Sequence, residues 1–344
     1  MKLALRITAS TLRGTREDVP RLANALLRQN ANATFLFTLG PDRTGRVLFR
    51  PRLRRDAAPD LRAHYGSRSL LYGTLLLGPS IGLRCRKILR RVRDDGFECG
   101  VHGWDAVEWQ HRIARADEVW TARQMHLAWG RYSELFGELP RVHGAAGWRM
   151  NRHALRLAQR AGLDYASDTR GRSPFLPVRE GELIACPQLP TTLPTLDELM
   201  RQGLNPEAAV DELLALARKA PATGHVYSAA VEREGARLLP LFERLLDGWQ
   251  ALGFELTALR TLYDSLDRGH LPHCLLEEGT VPGRTSPVLL QGKAYLDGAT
   301  DRVVLPERRR YPRPASGYLL PRRVDEPNRP PREPRADEPR GLRL

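Results

Sequence analysis

Cysteine is scarce: Cys85, Cys99, Cys186 and Cys274 are the only four in 344 residues, and no two form a C-x-x-C pair. That excludes a disulfide scaffold and a cysteine-rich zinc module, and it suits free thiols in a reducing compartment, so a cytoplasmic location is expected. A membrane-spanning run is also missing. The apolar stretch Leu70 to Leu83 is broken by Gly73, Gly78 and Pro79 and is too short to cross a bilayer. At the start, Met1-Lys2-Leu3-Ala4-Leu5-Arg6-Ile7 meets an arginine before the apolar core of an export signal can develop. There is no P-loop, dinucleotide fingerprint or Ser-His-Asp arrangement, and none of the spacings of the nucleic-acid modules, so no nucleic-acid partner is expected.

Negative charge is in deficit. Lys and Arg number 54 against 40 Asp and Glu, a formal charge of +14, which favours a phosphorylated ligand or an anionic membrane surface but fits a well-solvated arginine-rich exterior equally. With 42% hydrophobic residues the chain can bury one large core.

Short aliphatic runs alternate with longer periodic segments, the pattern of βα units around a parallel sheet or barrel. Strands are expected at Leu3 to Ile7, Ala33 to Leu39, Phe97 to Val101, Arg141 to Ala145, Asp164 to Ser167 and His225 to Ala230. Helices are expected at Ala116 to Phe136, Arg152 to Ala161, Pro206 to Ala217 and Ala236 to Leu252. A capping box is expected to open at Thr15-Arg16-Glu17-Asp18, before the stripe Val19, Leu22, Leu26 and Leu27. Arg84, Arg86, Lys87, Arg90, Arg91 and Arg93 surround Ile88, Leu89 and Val92, a basic amphipathic helix that suits either anionic lipid or the outside of a barrel. The expected division is one domain over residues 1–295 and a Pro/Arg-rich, disordered tail over 301–344.

Several motifs occur in a telling order. They are Arg13-Gly14-Thr15-Arg16-Glu17 with Val19-Pro20-Arg21-Leu22, Gly40-Pro41-Asp42 with Gly45-Arg46, His102-Gly103-Trp104-Asp105, Ala146-Gly147-Trp148-Arg149, Ser167-Asp168-Thr169-Arg170-Gly171 with Pro174-Phe175, Leu193-Pro194-Thr195 with Asp197-Glu198, and Val281-Pro282-Gly283-Arg284. Together they resemble the polysaccharide deacetylase (NodB-homology) family, and within it the 4-deoxy-4-formamido-L-arabinose-phosphoundecaprenol deformylases of lipid A modification. The resemblance implies an α/β fold, a distorted (β/α) barrel with its site at the C-terminal ends of the strands. It implies hydrolysis of a formamide or acetamide by a divalent metal on one aspartate and two histidines, with a second aspartate as base and a late-strand histidine as acid.

Carried over by position, the base falls on Thr8, the metal carboxylate on Ser10, the first histidine on His102, the second on Ala106 and the acid on Ala230. Only His102 keeps its family identity. Hydroxyls at Thr8 and Ser10 are not ionised at neutral pH, and one imidazole does not make a zinc site. No cofactor is therefore expected. Zinc, cobalt or manganese would bind only if other residues rebuild the site, the candidates being Asp105, Glu108, His111, His143 and Glu232. Cys99 lies near His102 but within a strand, where a thiol packs as a small apolar group; Cys274 adjoins His273. The remaining histidines, His64, His126, His153, His225, His270 and His273, have no ligand spacing and read as surface or packing residues.

A polar set is left in the matching motifs: Arg13, Arg16, Trp148, Arg149, Asp168 and Arg170, with Asp105 beside His102. Guanidiniums grip phosphate and an indole stacks on a sugar, so these residues are candidates for a binding pocket; Arg149 and Asp168 could instead form a buried ion pair. The expected role is a non-catalytic deformylase homologue that binds a lipid-linked sugar phosphate or regulates an active deformylase relative. The alternatives are a working C–N hydrolase with a rearranged site and a basic scaffold peripheral to the inner membrane face.

Overall fold

Strand β1, Lys2–Ala9, is buried at every residue after Lys2, and its two faces do different work. Leu3, Leu5, Ile7 and Ala9 join the main core beneath the surrounding helices, while Ala4 joins a separate cluster with Leu36, Val142, Tyr165 and Val226. Side chains alternate along a strand, so Ala4, Arg6 and Thr8 rise in steps through one interior. The computed structural model in which this is seen describes residues 1–57 and 61–295. The expected tail at 301–344 lies outside the described residues.

The main sheet is parallel. It adds β2 (Thr34–Thr38), β3 (Glu98–Gly103), β4 (Val142–His143), β5 (Tyr165–Ala166), β8 (His225–Ala230) and β9 (Glu255–Thr257), in the order β5-β4-β3-β2-β1-β8. Strand β8 pairs with Leu3 to Thr8 along one edge of β1, so β2 and β9 share the other edge, at Arg6 to Ala9 and Lys2 to Ala4. Residues 187–193 close the gap between β5 and β8, since Leu189 N donates to Ala166 O at 2.8 Å and Thr192 N to Val226 O at 3.0 Å. The result is a distorted (β/α) barrel. Leu259, Leu262 and Tyr263, from the helix Leu259–Asp264, pack into its interior cluster. A second sheet, of order β11-β10-β6-β7, holds β6 (Leu176–Arg179), β7 (Glu182–Leu183), β10 (His273–Gly279) and β11 (Val288–Ala294).

All six expected strands and the four long helices are present, the helices at Glu118–Phe136, Arg152–Arg160, Pro206–Ala217 and Leu239–Ala251. Strands β6, β7, β9, β10 and β11 were not expected: they are two to seven residues long, too short or too mixed in polarity to show a clear two-residue period. The capping box at Thr15 does not form. Thr15 Oγ1 donates to Thr11 O at 2.7 Å, and Gly14–Asp18 make a π-helical turn that runs into the helix Val19–Arg28; a threonine bonded back to the preceding turn cannot cap the next. The basic segment is helical over Arg86–Asp94, with Leu89 and Val92 buried. Two of its cations have structural partners, as Arg90 Nε donates to Leu135 O and Arg93 Nη1 to Phe136 O, both at 2.8 Å. They satisfy carbonyls left open at the end of the helix Glu118–Phe136.

Candidate functional site

The C-terminal ends of β1, β3 and β8 open into a cavity of about 200 Å³, and Thr8, Ser10, His102, Ala106 and Ala230 all line it. Thr8 and Ala230 are direct register partners across β1 and β8. His102 comes up on β3, and Ala106 is the first residue of the helix Ala106–Arg112, whose N-cap is Asp105. Positions far apart in the chain thus face one space.

Burial, then the Arg6 charge, pushes the His102 imidazole down to about 3 from its ordinary 6.5. Nδ1 lies 2.6 Å from Gly144 O; a carbonyl only accepts, so Nδ1 carries the proton and Nε2 keeps its lone pair. Between pH 3 and 6.5 the unfolded chain binds a proton that native His102 refuses. The His102 contribution to stability therefore falls as pH drops through that window and is constant above it. NMR should show no His102 titration from pH 8 down to about 4, and His102→Gln should flatten the stability–pH slope by up to about one proton. A His102 titration near 6.5 would show the ring to be solvated.

Glu232 is a backbone staple. Its Oε1 accepts from Ser10 N at 2.8 Å, Thr11 N at 2.9 Å and Thr11 Oγ1 at 3.0 Å. Gly14 makes this approach possible, since a Cβ there would sit 2.7 Å from Glu232 Oε1. Burial pushes the Glu232 carboxyl up to about 7, against the pull of those donors. The other rebuilding candidates are also engaged. Asp105 caps Glu108 N and pairs with Arg43 at 3.0 Å. Glu108 faces Arg46, Arg50 and Arg112, His111 is exposed, and His143 Nδ1 lies 2.8 Å from Asp168 Oδ1. Among the described residues no three His, Cys, Asp or Glu side chains converge as a metal-holding group. The donor set around His102 does not fit a divalent ion, and the rebuilt ligand set does not assemble. All four cysteines are buried, and burial pushes the Cys99 thiol up, so it stays protonated.

The polar set read from the motifs divides. Trp148 lines the cavity, whereas Arg13, Arg16, Arg149, Asp168 and Arg170 do not. Arg13 and Arg16 lie in an adjoining hollow and both meet Glu17. Arg170 is buried in an ion pair with Glu198 at 2.7 Å. The expected Arg149–Asp168 pair is not made: Arg149 Nη1 donates to Gln110 O at 2.6 Å, and Asp168 takes His143 and Ala145 N instead. Trp148 occupies a left-handed conformation, φ 52°, a strained one for an aromatic residue. Its surroundings hold it there. Nε1 donates to Thr191 Oγ1 at 3.0 Å, and Arg6, Arg170 and Arg284 lie 5.3, 4.9 and 5.0 Å from its ring centre.

Sequence reasoning missed Arg6, Arg43 and Arg233 as cations of the cavity, had Arg284 only as a motif residue, and read His64 as a surface or packing residue, though it lines the cavity wall. Arg284 arrives on the loop 280–287 between β10 and β11. Gly283 sets that approach with φ 78°, where an added Cβ would lie 2.1 Å from Glu198 O. The alternation of β1 was the available signal for Arg6. Carboxyl groups share the cavity with these cations: Arg43 pairs with Asp105 and Arg233 with Asp197, while Arg284 lies 3.8 Å from Glu198; burial raises Glu232, Glu234 and Asp105 from their ordinary values.

With this geometry in view, comparison with known proteins is informative. No family model matches the chain. A probable 4-deoxy-4-formamido-L-arabinose-phosphoundecaprenol deformylase, ArnD, of Shewanella sediminis is 34% identical over 278 residues, covering 77% of this chain and 87% of that protein. A probable deformylase of the same name from Wigglesworthia glossinidia brevipalpis is 28% identical over 285 residues, 81% of this chain and 99% of that one. A crystal structure from Mycobacterium smegmatis, classed as a polysaccharide deacetylase, superposes with a TM-score of 0.55 at 15% identity, over 81% of this chain and 95% of that one. By its sequence relatives, its barrel and the order of its motifs, the chain belongs to the polysaccharide deacetylase (NodB-homology) family, among the 4-deoxy-4-formamido-L-arabinose-phosphoundecaprenol deformylase-like proteins.

Proposed function

We propose that this chain is a non-catalytic deformylase homologue that binds the formamido-sugar phosphate headgroup of a lipid carrier. The observation that carries the reading is the composition of one cavity wall: Thr8, Ser10, Ala106 and Ala230 stand at the reacting positions, while Arg6, Arg43, Arg233, Arg284 and Trp148 remain around them. Without an ionised base at Thr8 or an acid at Ala230, water activation and leaving-group protonation have no agent there. Binding keeps its means, since guanidiniums suit phosphate and the indole a sugar face. About 200 Å³ is below the ~300–1,000 Å³ usual for drug-sized ligands, which favours one sugar over an oligosaccharide.

Calorimetric titration with 4-deoxy-4-formamido-L-arabinose phosphate tests this, run beside an assay for released formate. The native protein should bind the sugar phosphate and release no formate. Arg284→Gln, its fold checked by circular dichroism, should weaken binding about tenfold to a hundredfold through loss of a charge-assisted contact. Absence of binding would sink the proposal. The rival reading, an active hydrolase with a rearranged site, draws on Glu232, whose carboxyl near 7 is placed for proton transfer at neutral pH. Formate release abolished by Glu232→Gln would establish that rival.

A further inference from the structure

Leucines are ordinarily buried, yet in the loop 71–77 Leu75 is 83% and Leu77 96% exposed, with Leu71, Leu76 and nearby Leu83 also open. The loop holds this shape through its own backbone. Leu71 O accepts from Thr74 N, Leu76 N and Thr74 Oγ1, and Gly73 N donates to Leu76 O at 2.8 Å. Arg46 Nε ties Gly73 O to the body of the domain at 3.1 Å. A loop whose polar groups are paired internally can bring its apolar side chains into a lipid interface without stranding those groups.

Basic residues border these leucines. Arg68, Arg84, Arg86 and Lys87 are exposed, and Arg16, Arg68 and Arg84 line a groove of about 530 Å³ with Leu76 and Leu77, with no carboxylate among its lining residues. An apolar tip inside a basic rim is complementary to an anionic bilayer surface, where the tip enters the acyl boundary and the rim meets headgroup phosphates. A wholly apolar partner would not call for the rim. Orientation agrees with the interior as well: the groove shares Leu12, Arg16, Arg68 and Tyr72 with a second hollow, and that hollow shares Tyr65 with the central cavity.

From the exposed tip and its rim we infer that the chain docks on an anionic phospholipid bilayer through Leu75 and Leu77, with Arg68 and Arg84 as its electrostatic collar. The groove then opens toward the membrane, beside a hollow that adjoins the cavity. Docking on this surface goes beyond occupancy of the cavity and does not depend on it. No helix among the described residues is long and apolar enough to cross a membrane, so the contact is interfacial.

Sedimentation of the full chain with phosphatidylcholine vesicles, with and without phosphatidylglycerol, tests the inference. Binding is expected only with the anionic lipid and should fall as salt is raised. Leu75→Ser/Leu77→Ser should weaken it on the order of a hundredfold. Arg68→Gln/Arg84→Gln should weaken it several-fold and reduce its salt dependence. Circular dichroism melting of each variant separates loss of docking from loss of fold, because both leucines are solvent-exposed. The inference is overturned if the native chain ignores anionic vesicles, or if the folded leucine variant binds them as the native chain does. It is overturned equally if gel filtration shows native dimers that the leucine variant breaks, which would assign the patch to a second copy.

Discussion

Ser10→Asp combined with Ala106→His is expected to yield a chain that holds one zinc or cobalt per molecule, where the native chain is expected to hold none. The expectation follows from where the substituted positions lie. Ser10, His102 and Ala106 line the same cavity, and the ring of His102 is already fixed, with Nδ1 on Gly144 O and Nε2 free to ligate. A hydrogen bond on the other ring nitrogen is the usual way a ligating histidine is oriented. Adding a carboxylate and a second imidazole completes three protein ligands, which leaves a position for water. The new aspartate should be tolerated, because Glu232 beneath it is tied to Ser10 N and Thr11 N by bonds the Ser10 side chain does not make. Elemental analysis after exposure to zinc, cobalt and manganese reads the result, with His102→Ala in the double variant as the control. Stoichiometric metal that the control loses would agree with a site lacking only its ligands. Stoichiometric metal in the native protein would show that other residues hold it and would return the hydrolase reading to first place. Thr8→Asp and Ala230→His can then be added, each worth about 10²–10⁴-fold in rate if the missing base and acid are what limits deformylation. Formate release against time checks that step.

The site was more legible in the sequence than its surroundings were. Thr8, Ser10, His102, Ala106 and Ala230 could be placed from motif order, and strand alternation together with barrel closure brings all five to one cavity. Arg6 was overlooked although it lies two residues before Thr8 and the two-residue period turns it inward too. What its guanidinium does depends on Ala145, Ser167 and Ser228, between 139 and 222 residues away, and no local pattern encodes that. The basic segment shows the same limit differently. Arg84, Arg86, Lys87, Arg90 and Arg93 read alike in sequence, and only packing beside Leu135 and Phe136 turns Arg90 and Arg93 into ligands for helix carbonyls. Trp148 was legible as a motif residue. Its left-handed backbone was not, because the Thr191 bond and the guanidiniums that hold it come from other parts of the chain.

Arg6→Leu should lower the free energy of unfolding by about 3–5 kcal/mol, the range found when one partner of a buried charged network is removed. Arg6 is 1% exposed, and burial lowers its guanidinium to about 10, so it remains charged at neutral pH. Its donors reach Ser167 O at 3.2 Å, Ser228 Oγ at 2.9 Å and Ala145 O at 3.3 Å. One side chain on β1 therefore joins β8 to the ends of β4 and β5 across the barrel interior. Leucine fills much of the volume but leaves these acceptors without their donor, and it removes a cation that interacts with the fully buried Asp168, whose Oδ2 has no hydrogen-bond partner. Arg6→Lys keeps the charge, but its three donors radiate from one nitrogen and cannot span the acceptors that Nε, Nη1 and Nη2 reach separately, so it should recover only part of the loss. Urea unfolding followed by tryptophan fluorescence measures each value. Because the cost comes partly from stranding the Asp168 charge, Arg6→Leu/Asp168→Asn should be less destabilised than the sum of the single changes by about 1 kcal/mol or more. Additivity would place the effect in the lost carbonyl contacts alone. A loss below about 1 kcal/mol for Arg6→Leu, the level of an ordinary hydrogen bond, would mean that the guanidinium does not hold the barrel together and would leave the cavity above it as the reason for an arginine at this depth.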